Sequence, residues 1–394
     1  MTSVFPTAAS IETAHGARHA ALLAGLPAET PAVLVVEPEA LKRNYSRLAA
    51  LTPKAETGAV VKADGYGLGT EMVVRALGEA GCRTFFVATL GEARRVRKAD
   101  PRGSIYVLNG LATGTAAAHA EIGARPVLAS YDDAEEWAGY CRSAGRRLPA
   151  AIQIDTGMHR LGFSRAEVER LAGEPDVLGA FSVSLILSQL AMADLEAHPK
   201  NAEQRQHFEA LARQLPDAPW SLAAAAGMFL APTFHYSLTR PGMPLFGGIP
   251  CPAGAALVEP VGWLYARIVQ VHAAEAGETV GYGAQRRFDR PMRLATLSIG
   301  YADGYGRALS DSGANDGAIA HVGGFPAPVV GRISMDLTTI DIGAVPLELV
   351  RRGVFACLMG DQTTVDELAR QAGTIPYEIL TRIGPRVQRV VVEG

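Results

Sequence analysis

The sequence predicts an α/β protein, a (β/α)8 TIM-like barrel followed by a mainly β C-terminal domain. Three observations lead there. From about Pro31 short β-branched runs alternate with stretches of helical period. Repeats of that kind sustained over roughly 200–250 residues fit a barrel of parallel strands with outer helices. After about Gly254 the texture changes to short β-rich runs punctuated by Gly, Pro and Asp. A chain of 394 residues also exceeds what one core usually organises.

Residues 1–30, with His15, Arg18 and His19 among alanines, read as a short helix or ordered arm. They lack the charged start, apolar core and cleavage site of a signal peptide. The barrel is expected over residues 31–254. Its strand-like runs are Ala32–Val36, Ala59–Lys62, Thr84–Ala88, Ile105–Leu108, Pro126–Ala129, Ala151–Ile154 and Val183–Ser188, with weaker ones at Ser221–Ala224 and His235–Thr239. Helical patterns lie between them at Glu39–Leu51, Glu71–Ala80, Gly91–Ala99, Asp132–Ala144, Arg165–Ala172 and Ala202–Leu215. Asp132 and Ser164 have the chemistry of N-caps, and Gly81 and Gly145 that of C-terminal stops. A doubly wound open sheet competes, but no GxGxxG follows the first strand, which weighs against a dinucleotide fold. Residues 255–394 are expected to form the second domain, with strands at Trp263–His272, Arg293–Ile299, Pro328–Ile333, Thr338–Ile342 and Val387–Val392, and helices at Val365–Ala372 and Tyr377–Ile383.

Composition narrows the function. The formal net charge of -3 offers no basic surplus for a nucleic acid or an anionic membrane. No apolar stretch reaches membrane-spanning length. Cys82, Cys141, Cys251 and Cys357 are dispersed and form no CxxC pair, so neither a metal site nor a disulfide framework is indicated; reduced thiols in a cytoplasmic protein are expected.

The chemistry starts at Ala59–Gly69, AVVKADGYGLG. An apolar strand delivers Lys62 at its end, where barrel active sites lie. A lysine in a partly apolar mouth loses its proton readily and serves as nucleophile or base. Glycines let backbone N–H groups approach a phosphate, and Tyr66 adds a hydroxyl donor. An isolated strand-end lysine more often just leaves the sheet for solvent; the glycine-rich loop brings the two readings level.

This segment resembles the pyridoxal-phosphate lysine motif of the alanine racemase family, a fold-type III group of pyridoxal-phosphate enzymes. The resemblance runs from about Ala32 to Val392 through DTGMHRLGF (Asp155–Phe163), RPGMPLFGG (Arg240–Gly248), VGYGA (Val280–Ala284), IGYADGY (Ile299–Tyr305), GRISMD (Gly331–Asp336) and PYEILTRIG (Pro376–Gly384). Each match is weak alone; their shared order is not. The resemblance implies that Lys62 holds pyridoxal 5'-phosphate as a Schiff base and acts as one acid/base. It implies that Tyr282, from the partner subunit of a homodimer, is the other. Racemisation needs a group on each face of Cα, so two bases suit it. Arg160 matches an arginine near that tyrosine, and Arg240 one facing the pyridine nitrogen. Arginine offers only donors, so the nitrogen opposite it is an unprotonated acceptor and the electron sink is weakened. Tyr66, Tyr377, Gly242 and Met243 match the phosphate contacts. Met335, Asp336 and Tyr301 match the substrate pocket and its entrance. The implied activity is interconversion of L- and D-alanine, supplying D-alanine for peptidoglycan. The alternatives are racemisation of another amino acid such as serine, or cofactor binding without turnover.

Three sites, the last a pair of residues, depart from the family. Gln153 stands where many members carry a lysine, often carbamylated, so no carbamate is expected. Gln189 replaces a histidine near the cofactor ring, with an amide able to donate to the cofactor's 3-oxygen side or to water. Ala224–Ala225 replace an Asn-Ser pair whose serine binds phosphate, a loss of about 1.5–3 kcal/mol for one charge-assisted bond.

Overall fold

A computed structural model describes residues 14–311 and 316–392. The chain forms two compact units, one of Glu39–Glu259 and one of the chain up to Pro38 together with the chain from Pro260.

In the first unit, seven parallel strands follow one another in sequence order: Ala59–Val60, Thr84–Val87, Ser104–Val107, Ala124–Leu128, Pro149–Gln153, Ser182–Leu187 and Trp220–Ser221. An eighth, Leu238–Thr239, closes the ring. It pairs in parallel with Glu56–Thr57, just ahead of the first strand, and Val60 N–H donates to Pro241 O at 2.8 Å. On its other side Ser237 N–H reaches Trp220 O at 3.0 Å and Arg240 N–H reaches Ala223 O at 2.9 Å. Between Glu56–Thr57 and Ala59–Val60 lies Gly58, where a Cβ would stand 3.0 Å from Thr84 O and 3.1 Å from the Phe86 ring. Only glycine lets the neighbouring strands approach that closely.

Helices wrap this ring. Ser164 caps Arg165–Ala172 in a reciprocal box with Glu167. For Tyr131–Ser143 the cap is Ser130, not the expected Asp132: its hydroxyl accepts from Asp133 N–H at 3.2 Å, so the helix begins one residue before the expected Asp132. Gly81 and Gly145 end their helices at φ of 104° and 62°. Trp137, Phe163, Phe181 and Phe208 are fully buried in a core between helices and strands, each worth about 1.5–3 kcal/mol of transfer free energy.

The second unit corrects the expected start of the barrel. Ala32–Val36 is a strand, but not a barrel strand. It lies antiparallel to Gly262–Ala266 and parallel to Gln388–Val391. All five of its residues are buried. Such a run reads the same for any fully buried strand, so its sequence cannot name its neighbours. The arm before it joins this unit as helix Ala14–Ala24, whose Leu22 and Leu23 pack with Val33, Val35, Trp263 and Tyr265. Buried His19 bridges Tyr265 Oη at 2.8 Å and Glu37 Oε1 at 3.0 Å. At the other end, the expected junction at Ala253–Gly254 falls inside the short turn Pro252–Gly254, still within the barrel unit.

The long strand Gly262–Ala274 organises the β unit, pairing antiparallel with Met292–Leu297 and Phe355–Met359. Thr338–Asp341 extends the Met292–Leu297 side. Ile319–Val322 and Phe355–Met359 were not expected from the sequence; both are short apolar runs whose periodicity leaves helix and strand undecided. The expected strand Pro328–Ile333 is shifted: the strand is Phe325–Pro328, in a hairpin with Ile319–Val322.

Candidate active site

Lys62 follows the first barrel strand by two residues, at the C-terminal mouth. The expected strand over Ala59–Lys62 stops at Val60, and Val61 N–H still donates to Phe86 O at 2.9 Å. The chain then enters a left-handed turn. Ala63, Asp64, Gly65 and Tyr66 have φ of 53°, 56°, 61° and 56°. For the three non-glycine residues this costs about 1–2 kcal/mol each, so the surroundings must hold it. Gly67 N–H donates to Ala63 O at 2.8 Å and Gly69 N–H to Asp64 O at 2.9 Å. Asp64 Oδ1 accepts from Thr70 N–H at 2.9 Å and pairs with Arg95 at 2.7 Å. Ala63 N–H donates to Glu92 Oε1 at 2.7 Å. Burial holds the Lys62 ammonium below its ordinary pKa of 10.5; nearby Arg160 pushes the same way and Glu92 opposes them. Less free energy is then needed to present a neutral amine.

Arg240 is buried at 3% exposure, at the end of the eighth strand. Nη1 donates to Ser221 O at 2.9 Å and to the Ser221 hydroxyl; Nη2 donates to Ser188 O at 2.7 Å and to Gln189 Oε1 at 3.4 Å. Every one of these acceptors is neutral. Burial pulls the guanidinium pKa down to about 10. A buried cation fixed by neutral oxygens alone can face a neutral acceptor such as a ring nitrogen without surrendering an ion pair. Gln189 thus spends its carbonyl on Arg240, which leaves its amide nitrogen as the donor.

Tyr66 is 4% exposed and stacks on Phe246 with centroids 4.5 Å apart. Its hydroxyl lies against the Gly242 backbone: a Cβ there would stand 2.3 Å from Oη. Gly242 and Met243 head the turn Met243–Phe246, whose first bond is Leu245 N–H to Gly242 O at 2.9 Å. N–H groups at the head of a helical turn have no partner within it. A phenol beside such N–H groups suits a phosphate, and with Lys62 and Arg240 the residues fit pyridoxal phosphate. Ala225 contributes no side-chain donor beside them.

Gln153 donates to Leu161 O at 2.8 Å rather than to Arg160, which is exposed. The β unit carries the remaining predicted residues. The turn Tyr301–Asp303 and the loop through Met335 are tied by Tyr301 N–H to Ser334 O at 3.1 Å and Ala302 N–H to Met335 O at 3.0 Å. Arg386 spans Asp303 at 2.7 Å and Asp336 at 2.8 Å. Tyr282 tips the hairpin of Thr279–Val280 and Arg286–Arg287, between Gly281 and Gly283, both at positive φ beside Arg332. Tyr377 is second in helix Pro376–Thr381, and burial pushes its phenol up to about 12. Sequence reasoning missed Ser188, Ser221, Asp64 and Glu92. Of these only Glu92 left a signal, the Thr89-x-x-Glu92 capping box. Among the described residues no cluster of His, Cys, Asp and Glu could hold a metal ion, and no helix is long and apolar enough to cross a membrane.

Residues 36–250 match the alanine racemase N-terminal domain and residues 261–391 the alanine racemase C-terminal domain. The chain belongs to the alanine racemase family. It is 47% identical to an alanine racemase of Methylobacterium nodulans, over 92% of this chain and 96% of that protein. It is 43% identical to a catabolic alanine racemase of Mesorhizobium japonicum, over 92% and 94%. Among solved structures, alanine racemase from Bartonella henselae with covalently bound pyridoxal phosphate superimposes with a TM-score of 0.86 at 35% identity, covering 92% of this chain and 99% of that one.

Proposed function

We propose that this protein is a pyridoxal-phosphate-dependent amino-acid racemase that interconverts L- and D-alanine. The observation that carries the reading is the barrel-mouth pair of Lys62, its ammonium disfavoured by burial, and Arg240, a buried cation with only neutral acceptors.

Pyridoxal phosphate, when bound, acidifies the Cα–H of an attached amino acid. The rest falls to the protein. Lys62 anchors the group and handles the proton on one face of Cα. Tyr282 of the partner subunit handles it on the other. Tyr66, Tyr377 and the N–H groups of Gly242 and Met243 bind the phosphate. Arg240 donates to the ring nitrogen and keeps it unprotonated, which favours quick proton return over side reactions. The Gln189 amide donates beside the ring. Arg160, Met335, Asp336 and Tyr301 shape the substrate site. Exposure of Tyr282 at 73%, Met335 at 54% and Tyr301 at 44% within one chain supports a homodimer that covers them. A monomer would then be inactive.

The free cysteines, two of them buried, support a cytoplasmic location. Supply of D-alanine for peptidoglycan is the proposed role; the catabolic name of the Mesorhizobium relative favours alanine breakdown as the second. Gln189 and Ala225 alter the site's walls and favour serine as the second substrate to try.

The test is chiral chromatography of L-alanine incubated with protein and pyridoxal phosphate, with L-serine and a Tyr282→Phe variant alongside. Conversion of alanine that the variant loses is the expected result. Bound cofactor with no racemisation of either amino acid would sink the reading.

A further inference from the structure

Helix Leu90–Ala99 follows the second barrel strand, yet two of its side chains, one turn apart, grip the turn that begins at Lys62. Arg95 holds Asp64 at 2.7 Å. Glu92 does more. Its Oε1 accepts from Ala63 N–H at 2.7 Å, and that N–H belongs to the peptide bond joining Lys62 to Ala63. Its Oε2 accepts from Ala88 N–H at 2.7 Å and Thr89 N–H at 3.2 Å. A capping carboxylate needs only the last of these. The second oxygen is spent across strands, on the first residue of a left-handed turn that a non-glycine chain avoids. A bond to an ionised acceptor is among the stronger local restraints.

We propose that Glu92 is a positioning residue for Lys62: by clamping the Lys62–Ala63 peptide it aims the lysine Nζ at the cofactor's aldehyde carbon and at the substrate Cα. This rests on the proposed racemase reading for the identity of the cofactor. Glu92 touches neither substrate nor cofactor; it acts through the backbone of Lys62. In the step it serves, the neutral amine would form a C=N double bond to the aldehyde carbon as the C=O bond breaks, and the two protons lost from nitrogen would leave with the carbonyl oxygen as water. Nothing is oxidised or reduced. Misplacing a reacting atom by about 1 Å costs up to about a hundredfold in rate.

The test compares capture of pyridoxal phosphate by wild type, Glu92→Gln and Thr89→Ala. Capture is followed by absorbance, then fixed by borohydride and located by peptide mass. The glutamine leaves one acceptor where two oxygens were used, whereas Thr89→Ala breaks the same cap and leaves the Ala63 bond in place. Glu92→Gln should slow capture at Lys62 at least about tenfold, and lower kcat for alanine with KM little changed. Thr89→Ala should lower the melting temperature and capture at the wild-type rate. Should Glu92→Gln not fold, Glu92→Asp retains the charge but retracts it from Ala63, and should slow capture likewise. Wild-type capture by the Glu92 variant, or equal slowing in Thr89→Ala, would overturn the proposal. If wild type captures the cofactor but racemises nothing while Glu92→Gln is slow, the positioning role stands and the racemase reading falls. No capture at Lys62 by wild type would overturn both.

Discussion

Gly242→Ala tests the proposed phosphate end of the site. The new Cβ would lie 2.3 Å from Tyr66 Oη, 3.1 Å from Cζ and 3.5 Å from Val60 Cβ. A carbon–oxygen contact needs about 3.3 Å, so the hydroxyl must retreat by roughly 1 Å. Its ring has little room to do so, being buried and stacked on Phe246 at 4.5 Å. Overpacking of this kind costs about 1–3 kcal/mol. In the proposed site, loss of a Tyr66 bond to an ionised phosphate would cost about 1.5–3 kcal/mol more when cofactor binds. The Kd for pyridoxal phosphate should therefore rise roughly ten- to a hundredfold, read by fluorescence titration of the apoprotein. Tyr66→Phe removes the atom that clashes. The double variant should then bind more tightly than the sum of the two single defects requires, since the residues are in contact. Wild-type affinity in Gly242→Ala, or strict additivity in the double variant, would refute the reasoning.

Gly300→Ala would place a Cβ 2.3 Å from both Met335 O and Ser334 O; backbone cannot yield as a side chain can, so KM for alanine should rise severalfold, and an unchanged KM would separate these loops from the substrate. His119 is buried and its pKa is lowered from 6.5 to about 4, by burial first. The unfolded chain binds that proton more readily, so stability is lost as pH falls from about 6.5 towards 4, by about 3 kcal/mol in all; urea unfolding at several pH values should show a shallower acid-side slope in His119→Phe, and equal slopes would count against it. Gln153 has no amine to carbamylate and gives its amide to Leu161 O at 2.8 Å, so racemisation rates with and without added bicarbonate should coincide.

What could be read from the sequence divides by range. The cap at Ser164 and the helix after it were legible because both partners lie within four residues. The glycines of the Lys62 loop announced a close-approach turn. They did not announce that Ala63, Asp64 and Tyr66 also take positive φ, because what holds them there, Glu92 and Arg95, lies some thirty residues on. Arg240 stood out in its motif, but the neutrality of its surroundings comes from Ser188, just past one strand, and Ser221, on another. Ala32–Val36 was legible as a strand and illegible as to its sheet, since one neighbour follows the whole barrel and the other comes from the far end of the chain.

That last pairing has a consequence during synthesis. The barrel is one uninterrupted stretch, Glu39–Glu259, and can close as soon as it leaves the ribosome. Ala32–Val36 is made before it but lies beside Gln388–Val391, made roughly 350 residues later. At about 5–20 residues per second, a fully apolar strand waits some tens of seconds for its parallel neighbour. During that interval the strand has its antiparallel neighbour Gly262–Ala266, made just after the barrel, but keeps one edge open where Gln388–Val391 will lie, and that open edge is where a chaperone would be needed most.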